Sequence, residues 1–285
     1  MTRAADIPLA VQWSEGMLLT PQHFQQQALR FEELLHCHTR LLSPFHWGVT
    51  HLTYDRVLLV DGTFRILELQ AVLPDGLVVS HPPADSDRGL DPEEPELELD
   101  LRPHQGVAAN EPLTLYLTVP SNQSASLGPG AGLARYVSVP GAPVVDLSTG
   151  TDPQPVERLR PRLSLMAGRP PARYTRLPLL AVRAEGGKFS PTDFIEPRLA
   201  VPLESELGKL CINVVEKLRE KAGYLVESLR SLATTADRSA LEEGMDMLQS
   251  LVRGLPAFEA LLYSGVAHPF PLYVALCNLA GQVSG

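Results

Sequence analysis

The chain has 285 residues, 44% hydrophobic and 20% charged, with a formal net charge of −9. That length supports two domains and a sizeable core. The acidic balance argues against a binder of nucleic-acid phosphates, which needs clustered Lys and Arg. Three distant cysteines, Cys37, Cys211 and Cys277, offer neither a disulfide framework nor a CxxC metal knuckle and fit a reducing cytoplasm.

In chain order, the first feature is "VQWSEGMLLTPQHFQQQ" (Val11 to Gln27). No continuous apolar run here is long enough for a signal peptide, and none later reaches the roughly 18 residues of a membrane span. Direct membrane insertion is therefore not expected. Thr20 and Pro21 suit the cap and first position of a helix. Phe24, Ala28, Phe31, Leu35, His38 and Leu42 then recur at steps of three or four, and Ser43-Pro44 ends the run. Strand-like segments follow at Val57 to Val60, Phe64 to Val72, Leu77 to Ser80, Leu97 to Leu101, Leu113 to Val119, Arg135 to Val139, Arg162 to Met166 and Leu177 to Ala184. Asp61-Gly62 and Pro74-Asp75-Gly76 read as turns. Alternating leucines in "ELELDL" and "LTLYLTV" imply sheets with one buried face. Loops are expected over His81 to Pro95 and Ser121 to Gly132.

Twenty-two of the 26 prolines precede residue 200, and none lies between Leu203 and Leu255. Proline suits turns between strands and breaks helices. Residues 1–200 thus read as a β-sandwich domain with an early helix, and 201–285 as a helical domain, an α+β chain overall. From Leu203 to Leu232 apolar residues recur about every 3.6 positions, giving a helix of about 30 residues and roughly 45 Å. "SALE" (Ser239 to Glu242) reads as a capping box for a second helix. Gly254-Leu255-Pro256 is expected to end that helix and start a short third, and His268-Pro269 to precede a fourth. The chain closes on "LAGQVSG", which reads as a fragment whose next domain is missing.

Catalytic and metal chemistry find little support. His36 and His38 of "HCH" point about 200° apart on a helix and cannot easily share an ion. The acidic run Asp91 to Asp100 lacks the glycine-pivoted ligands of a calcium loop. "GPGAG" (Gly128 to Gly132) has no lysine and no following helix, so it does not cradle phosphate. No HExxH, GxSxG, GxGxxG or Walker loop occurs. No catalytic residue, metal or cofactor is expected.

"W-x-E-G-M-x-L-x-P-Q-H-F-Q" (Trp13 to Gln25) resembles the opening signature of the TssK family, the adaptor of the type VI secretion baseplate. "DFIEP" (Asp193 to Pro197) and "HPFPLYVALCNLAGQ" (His268 to Gln282) resemble later family elements in the same order. Glu196 departs from the residue usual in the family. The resemblance implies a shoulder sandwich related to phage receptor-binding proteins, a helical neck and a homotrimer. It also implies attachment to the wedge proteins TssF and TssG, and a link to TssL and TssM through a C-terminal head that this chain lacks. A phage-tail-type receptor-binding protein and a carbohydrate-binding sandwich are the alternatives. Aromatic residues at 6% of the chain make a poor sugar platform.

Trp13, Met17, Leu18, Leu19, Gln22, His23 and Phe24 are the expected partner-binding residues. Three consecutive apolar side chains on an extended segment cannot all face one core. Trp13 and Phe24 could equally serve packing within or between protomers. Leu207, Leu210, Val214, Leu218 and Leu225 are the expected oligomer interface, although the same stripe suits the chain's own core.

Overall fold

Alternating leucines build the first half of the protein. In the computed structural model, which describes residues 4–82, 96–121, 133–232 and 238–284, Leu113, Leu115, Leu117 and Val119 are all buried. They lie on β5 (Leu113–Pro120), the central strand of an antiparallel sheet ordered β10-β9-β5-β8. Its other strands are β8 (Ser164–Ala167), β9 (Tyr174–Glu185) and β10 (Lys188–Pro191). A second antiparallel sheet contains β1 (Gly48–Tyr54), β2 (Thr63–Val72), β3 (Val78–His81) and β4 (Glu98–Asp100), with β2 pairing to the other three. Phe64, Ile66, Leu69 and Ala71 of β2 join the β5 leucines in one continuous core. Each such leucine or phenylalanine contributes about 1.5–3 kcal/mol by leaving water. β6 (Tyr136–Val139) and β7 (Arg158–Pro161) pair as a two-stranded ribbon.

Several local features differ from the sequence expectation. Val57 to Val60 is helical, as α2 (Arg56–Val60), because the Asp55 carboxylate caps it by accepting from the Val57 and Leu58 amides at 2.8 and 3.0 Å. β1, β7 and β10 were not anticipated. β10 follows a tight turn in which Gly186 and Gly187 both take positive φ, 56° and 86°, as a two-residue hairpin loop requires. The GG pair before a strand-like run was the available signal. The short α3 (Gln105–Asn110) buries Ala108. Most of the two expected loops, 83–95 and 122–132, lies outside the described residues, as do "GPGAG" and the start of the acidic run.

The chain divides into two compact units, Met1–Thr192 and Asp193–Gly285, a division that falls ahead of the boundary expected after residue 200. Val201, the first residue of the expected helical domain, is fully buried in the helical core, and its amide donates to the Ala267 carbonyl at 3.0 Å. The second unit contains α4 (Glu206–Leu232), α5 (Arg238–Tyr263) and α6 (Pro269–Ser284). Ser205 starts α4, its hydroxyl accepting from the Gly208 amide at 3.0 Å. Pro256 does not end α5. Leu251, Leu255, Phe258 and Leu262 carry one buried stripe through the proline, and that packing outweighs the loss of one backbone donor. The expected break between a second and a third helix is therefore absent, and α5 is one continuous helix.

Candidate partner-binding surface

The opening stretch is built from two local devices. Ser14-Glu15-Gly16-Met17 is a turn in which the Met17 amide donates to the Ser14 carbonyl at 3.3 Å and Gly16 takes φ +76°. A glycine accepts that φ without strain. α1 (Pro21–Leu42) then begins at Thr20. The Thr20 amide donates to Nδ1 of His23 at 3.2 Å, and the His23 amide donates back to the Thr20 carbonyl at 3.1 Å. Pro21 follows at the position where a missing N–H costs nothing. Arg30 on α1 donates to the Pro8 carbonyl and so ties the N-terminal arm to the helix. These bonds give the glycine, threonine, proline and histidine of the motif a structural purpose.

The apolar members of the motif remain open. Leu18 is 81% exposed, Leu19 58%, Phe24 56% and Trp13 47%, while Met17 is half-buried. The Trp13 ring sits 5.9 Å from His23 and 6.1 Å from Phe24, so the three rings form one cluster at the start of α1. Gln22 is exposed beside it and His23 is half-buried as the cap. Trp13, His23 and Phe24 thus meet at the start of α1, and among the apolar residues of the motif Leu18 and Leu19 are the most exposed.

α1 continues this open surface. Every member of its apolar stripe, Phe24, Ala28, Phe31, Leu35, His38 and Leu42, is exposed, and no residue of α1 is fully buried. The opposite, mostly polar face packs on the protein. His36 lies against Gly76, where an added Cβ would stand 2.9 Å from the imidazole Cδ2. Its ring is 5.1 Å from that of His46. Burial, then the neighbouring His36, push the His46 pKa below its ordinary value of 6.5, against a raising effect from the Ser43 carbonyl.

The residues of the α4 stripe differ in how far their own chain covers them. Leu225 is buried in the helical unit's own core, and Leu207 and Leu218 pack partly buried against it. α5 packs against α4 within the same chain, one of the two uses that the sequence left open for this stripe. Val214 is half-buried, and Leu210 remains 57% exposed.

Sequence reasoning missed the cross-link behind the Pro74-Asp75-Gly76 turn. The buried Arg135 guanidinium reaches the Asp75 carboxylate at 2.9 Å and donates to the Pro120 carbonyl at 2.7 Å. The same carboxylate oxygen accepts from the Thr175 hydroxyl at 2.7 Å. Residues 75, 135 and 175 meet only through the fold, so no sequence spacing announces them. The described part of the acidic run is occupied by neighbours: Glu96 and Glu98 pair with Arg65, and Asp100 with Arg102. Among the described residues no three His, Cys, Asp or Glu side chains gather as a metal site.

Residues 23–284 match the family described as bacterial type VI secretion, VC_A0110, EvfL, ImpJ, VasE. The chain belongs to that family. It is 27% identical over 281 residues to the type VI secretion system baseplate component TssK1 of Pseudomonas aeruginosa, covering 95% of this chain. The chain spans 60% of that relative's length. Among solved structures it resembles a chain of the TssK-TssF-TssG baseplate subcomplex seen by cryo-electron microscopy, with TM-score 0.71, 25% identity and coverage of 96% of this chain and 87% of that one. A crystal structure of TssK shares the fold at TM-score 0.78 and 23% identity, with 96% of this chain and 60% of that chain covered. As a member of the TssK family, the chain is an α+β protein of antiparallel sheets and helices. No helix among its described residues is long and apolar enough to cross a membrane.

Proposed function

We propose that this chain is the adaptor portion of a type VI secretion baseplate subunit. It works by surface complementarity in the cytoplasm, without chemistry of its own. Residues 1–200 are the shoulder, with the two sheets packed as a sandwich, and residues 201–285 belong to the helical neck. The subunit acts as a homotrimer and holds the wedge proteins TssF and TssG. The link to TssL and TssM belongs to the part of the relatives' length that this chain does not span. One observation carries the reading: an exposed apolar cluster around Leu18, Leu19 and Phe24, in a chain whose solved relative occurs in a TssK-TssF-TssG subcomplex.

Leu18→Ala and Leu19→Ala test it, singly and together. Both side chains are exposed, so a denaturation midpoint close to wild type is expected. Removing an anchor from a desolvated interface costs upwards of about 2 kcal/mol, roughly thirtyfold in affinity. Capture of purified TssF–TssG should weaken by about that factor in the double variant. A collapsed midpoint with normal capture by the remaining folded protein would make the stretch a folding element instead.

A further inference from the structure

The stretch from β7 to β9 bears a charge opposite to that of the whole chain. From Arg158 to Ala184 the sequence holds seven arginines and no lysine, aspartate or glutamate, although the chain carries −9 overall. Three of the seven, Arg158, Arg160 and Arg162, alternate along β7 and the residue beyond it. They therefore share one face of the ribbon, at intervals of about 6.6 Å. Val139 and Val137 of β6 stand opposite Arg158 and Arg160. The carboxylates of the ribbon lie elsewhere. Glu157 is on the other face, where it accepts from the Ser138 hydroxyl at 3.0 Å. Asp146 and Asp152 sit at the tip and accept from the Ser148 amide and the Gln154 side chain.

The rest of the unit leaves this ribbon open and fixes its foot. Every residue from Ala142 to Leu159 is exposed, as are Arg162 and Arg173. The two-stranded ribbon leaves β7 with an edge that no described strand pairs. At the foot, the Arg162 amide donates to the Arg135 carbonyl at 2.8 Å, and the buried Arg135 guanidinium is tied to Asp75 and to the Pro120 carbonyl. The Ser121 amide donates to the Arg173 carbonyl at 3.0 Å, which brings a further arginine to the same place. The ion pairs among the described residues take up none of Arg158, Arg162 and Arg173.

We propose that β7 docks an acidic, extended segment of a partner protein, with carboxylates four residues apart on that segment meeting Arg158 and Arg162. Both strands rise by about 3.3 Å per residue, so the two spacings agree at roughly 13 Å. Arginine suits this occupant, because its planar fork takes a carboxylate through two parallel hydrogen bonds where lysine offers a point charge. The free edge adds backbone hydrogen bonds, as in strand addition to a sheet. An edge charged merely against aggregation is served by either sign or by a mixture, whereas this row has one sign. Nucleic acid fits less well, since its phosphates extend far beyond so short a row and meet the field of a chain with charge −9. The chain's own acidic run, where it is described, is engaged by Arg65 and Arg102. The inference is independent of the α1 surface and of the TssF–TssG reading.

Fluorescence anisotropy with the whole chain at physiological salt tests the row. The probe is a labelled decapeptide alternating glutamate and threonine. The comparisons are a peptide of the same composition with its glutamates in one block, and a single-stranded oligothymidylate. The alternating peptide is expected to bind at least threefold tighter than the block peptide and at least tenfold tighter than the oligothymidylate. Arg158→Glu with Arg162→Glu should weaken its binding at least tenfold with unchanged far-ultraviolet circular dichroism. Arg158→Lys with Arg162→Lys should weaken it at least threefold at the same net charge. No binding by wild type, equal affinity for the two glutamate peptides, or undiminished binding by the folded glutamate variant would overturn the proposal. If the glutamate variant fails to fold, the lysine variant decides, and an affinity equal to wild type rejects the proposal. Tighter binding of the oligothymidylate would assign the row to nucleic acid, and a lower sedimenting mass of the glutamate variant would assign it to contact between copies, both against the proposal.

Discussion

At the residue scale, burial rather than residue type decides what histidines do here. His46 is 9% exposed, its Nε2 has no hydrogen-bond partner, and the His36 ring lies beside it. Its folded-state pKa is lowered, so the unfolded chain takes up a proton at a pH where the folded protein does not. Stability is then complete above the ordinary value of 6.5 and is lost as pH falls from 6.5 towards the lowered value. Urea midpoints measured between pH 8 and pH 5 should show that loss, and His46→Gln should show less of it. Equal slopes for the two proteins would remove His46 as the cause. His36 contributes to the same site through Gly76, where φ +85° and the close imidazole both disfavour a side chain. The sequence displayed "HCH" and a Pro-Asp-Gly turn. That one packs on the other follows from residues forty positions apart meeting, which spacing does not encode.

At the element scale, period and caps were legible and their competition was not. The helix signals at Thr20-Pro21, the turn at Asp61-Gly62 and the leucine alternation of β5 all depend on neighbours within four residues. Those interactions are local, and the structure contains each of them. The strand expected over Val57 to Val60 failed because a cap at Asp55 outweighed β-branched propensity in a short run. Pro256 failed as a break because four buried apolar residues surround it. The helix-to-helix approach can be weighed by glycine. A Cβ at Gly254 would stand 2.6 Å from Gln282 Oε1 and 2.7 Å from Leu279 Cδ1, whereas one at Gly223 meets nothing within 4 Å. Helix propensity favours alanine over glycine by about 1 kcal/mol at either site. Overpacking costs about 1–3 kcal/mol, and Leu279 is only 2% exposed, so it should prevail at Gly254. Thermal denaturation should find Gly223→Ala more stable than wild type and Gly254→Ala less stable. A stabilised Gly254→Ala would mean that α5 and α6 separate readily.

At the scale of the whole molecule, two separate cores define two units. One gathers residues from Val49 to Phe189 and the other from Val201 to Leu279. Leu251 is 1% exposed in the second. Leu251→Ala should cost about 2–5 kcal/mol, as large-to-small changes in a core do. Hydrogen exchange should show the loss of protection concentrated in residues 193–285, and equal loss across β5 and β9 would show that the units unfold as one. The candidate surface was half legible at this scale. The motif singled out Trp13 to Phe24, and the stripe on α1 was visible as a pattern. A pattern gives the period of a helix but not which side its own chain covers. Sequence alone therefore could not show that α1 turns its apolar face outward while α4 turns most of its own inward.

By itself, then, the sequence determined the α+β class, the proline-marked change from strands to helices, the family and the open apolar stretch at the N-terminus. Each rests on local spacing or a contiguous motif. Tertiary structure alone decided the meeting of Asp75, Arg135 and Thr175, the continuity of α5 through Pro256, and the burial of Leu225 beside the exposure of Leu35. Burial of apolar surface brought together from distant parts of the chain, worth a few kcal/mol per side chain, exceeds the local preferences that a sequence displays at Pro256 and Leu225. The Asp75, Arg135 and Thr175 contacts instead offset the cost of burying a charge, and they too need residues far apart in the chain to meet.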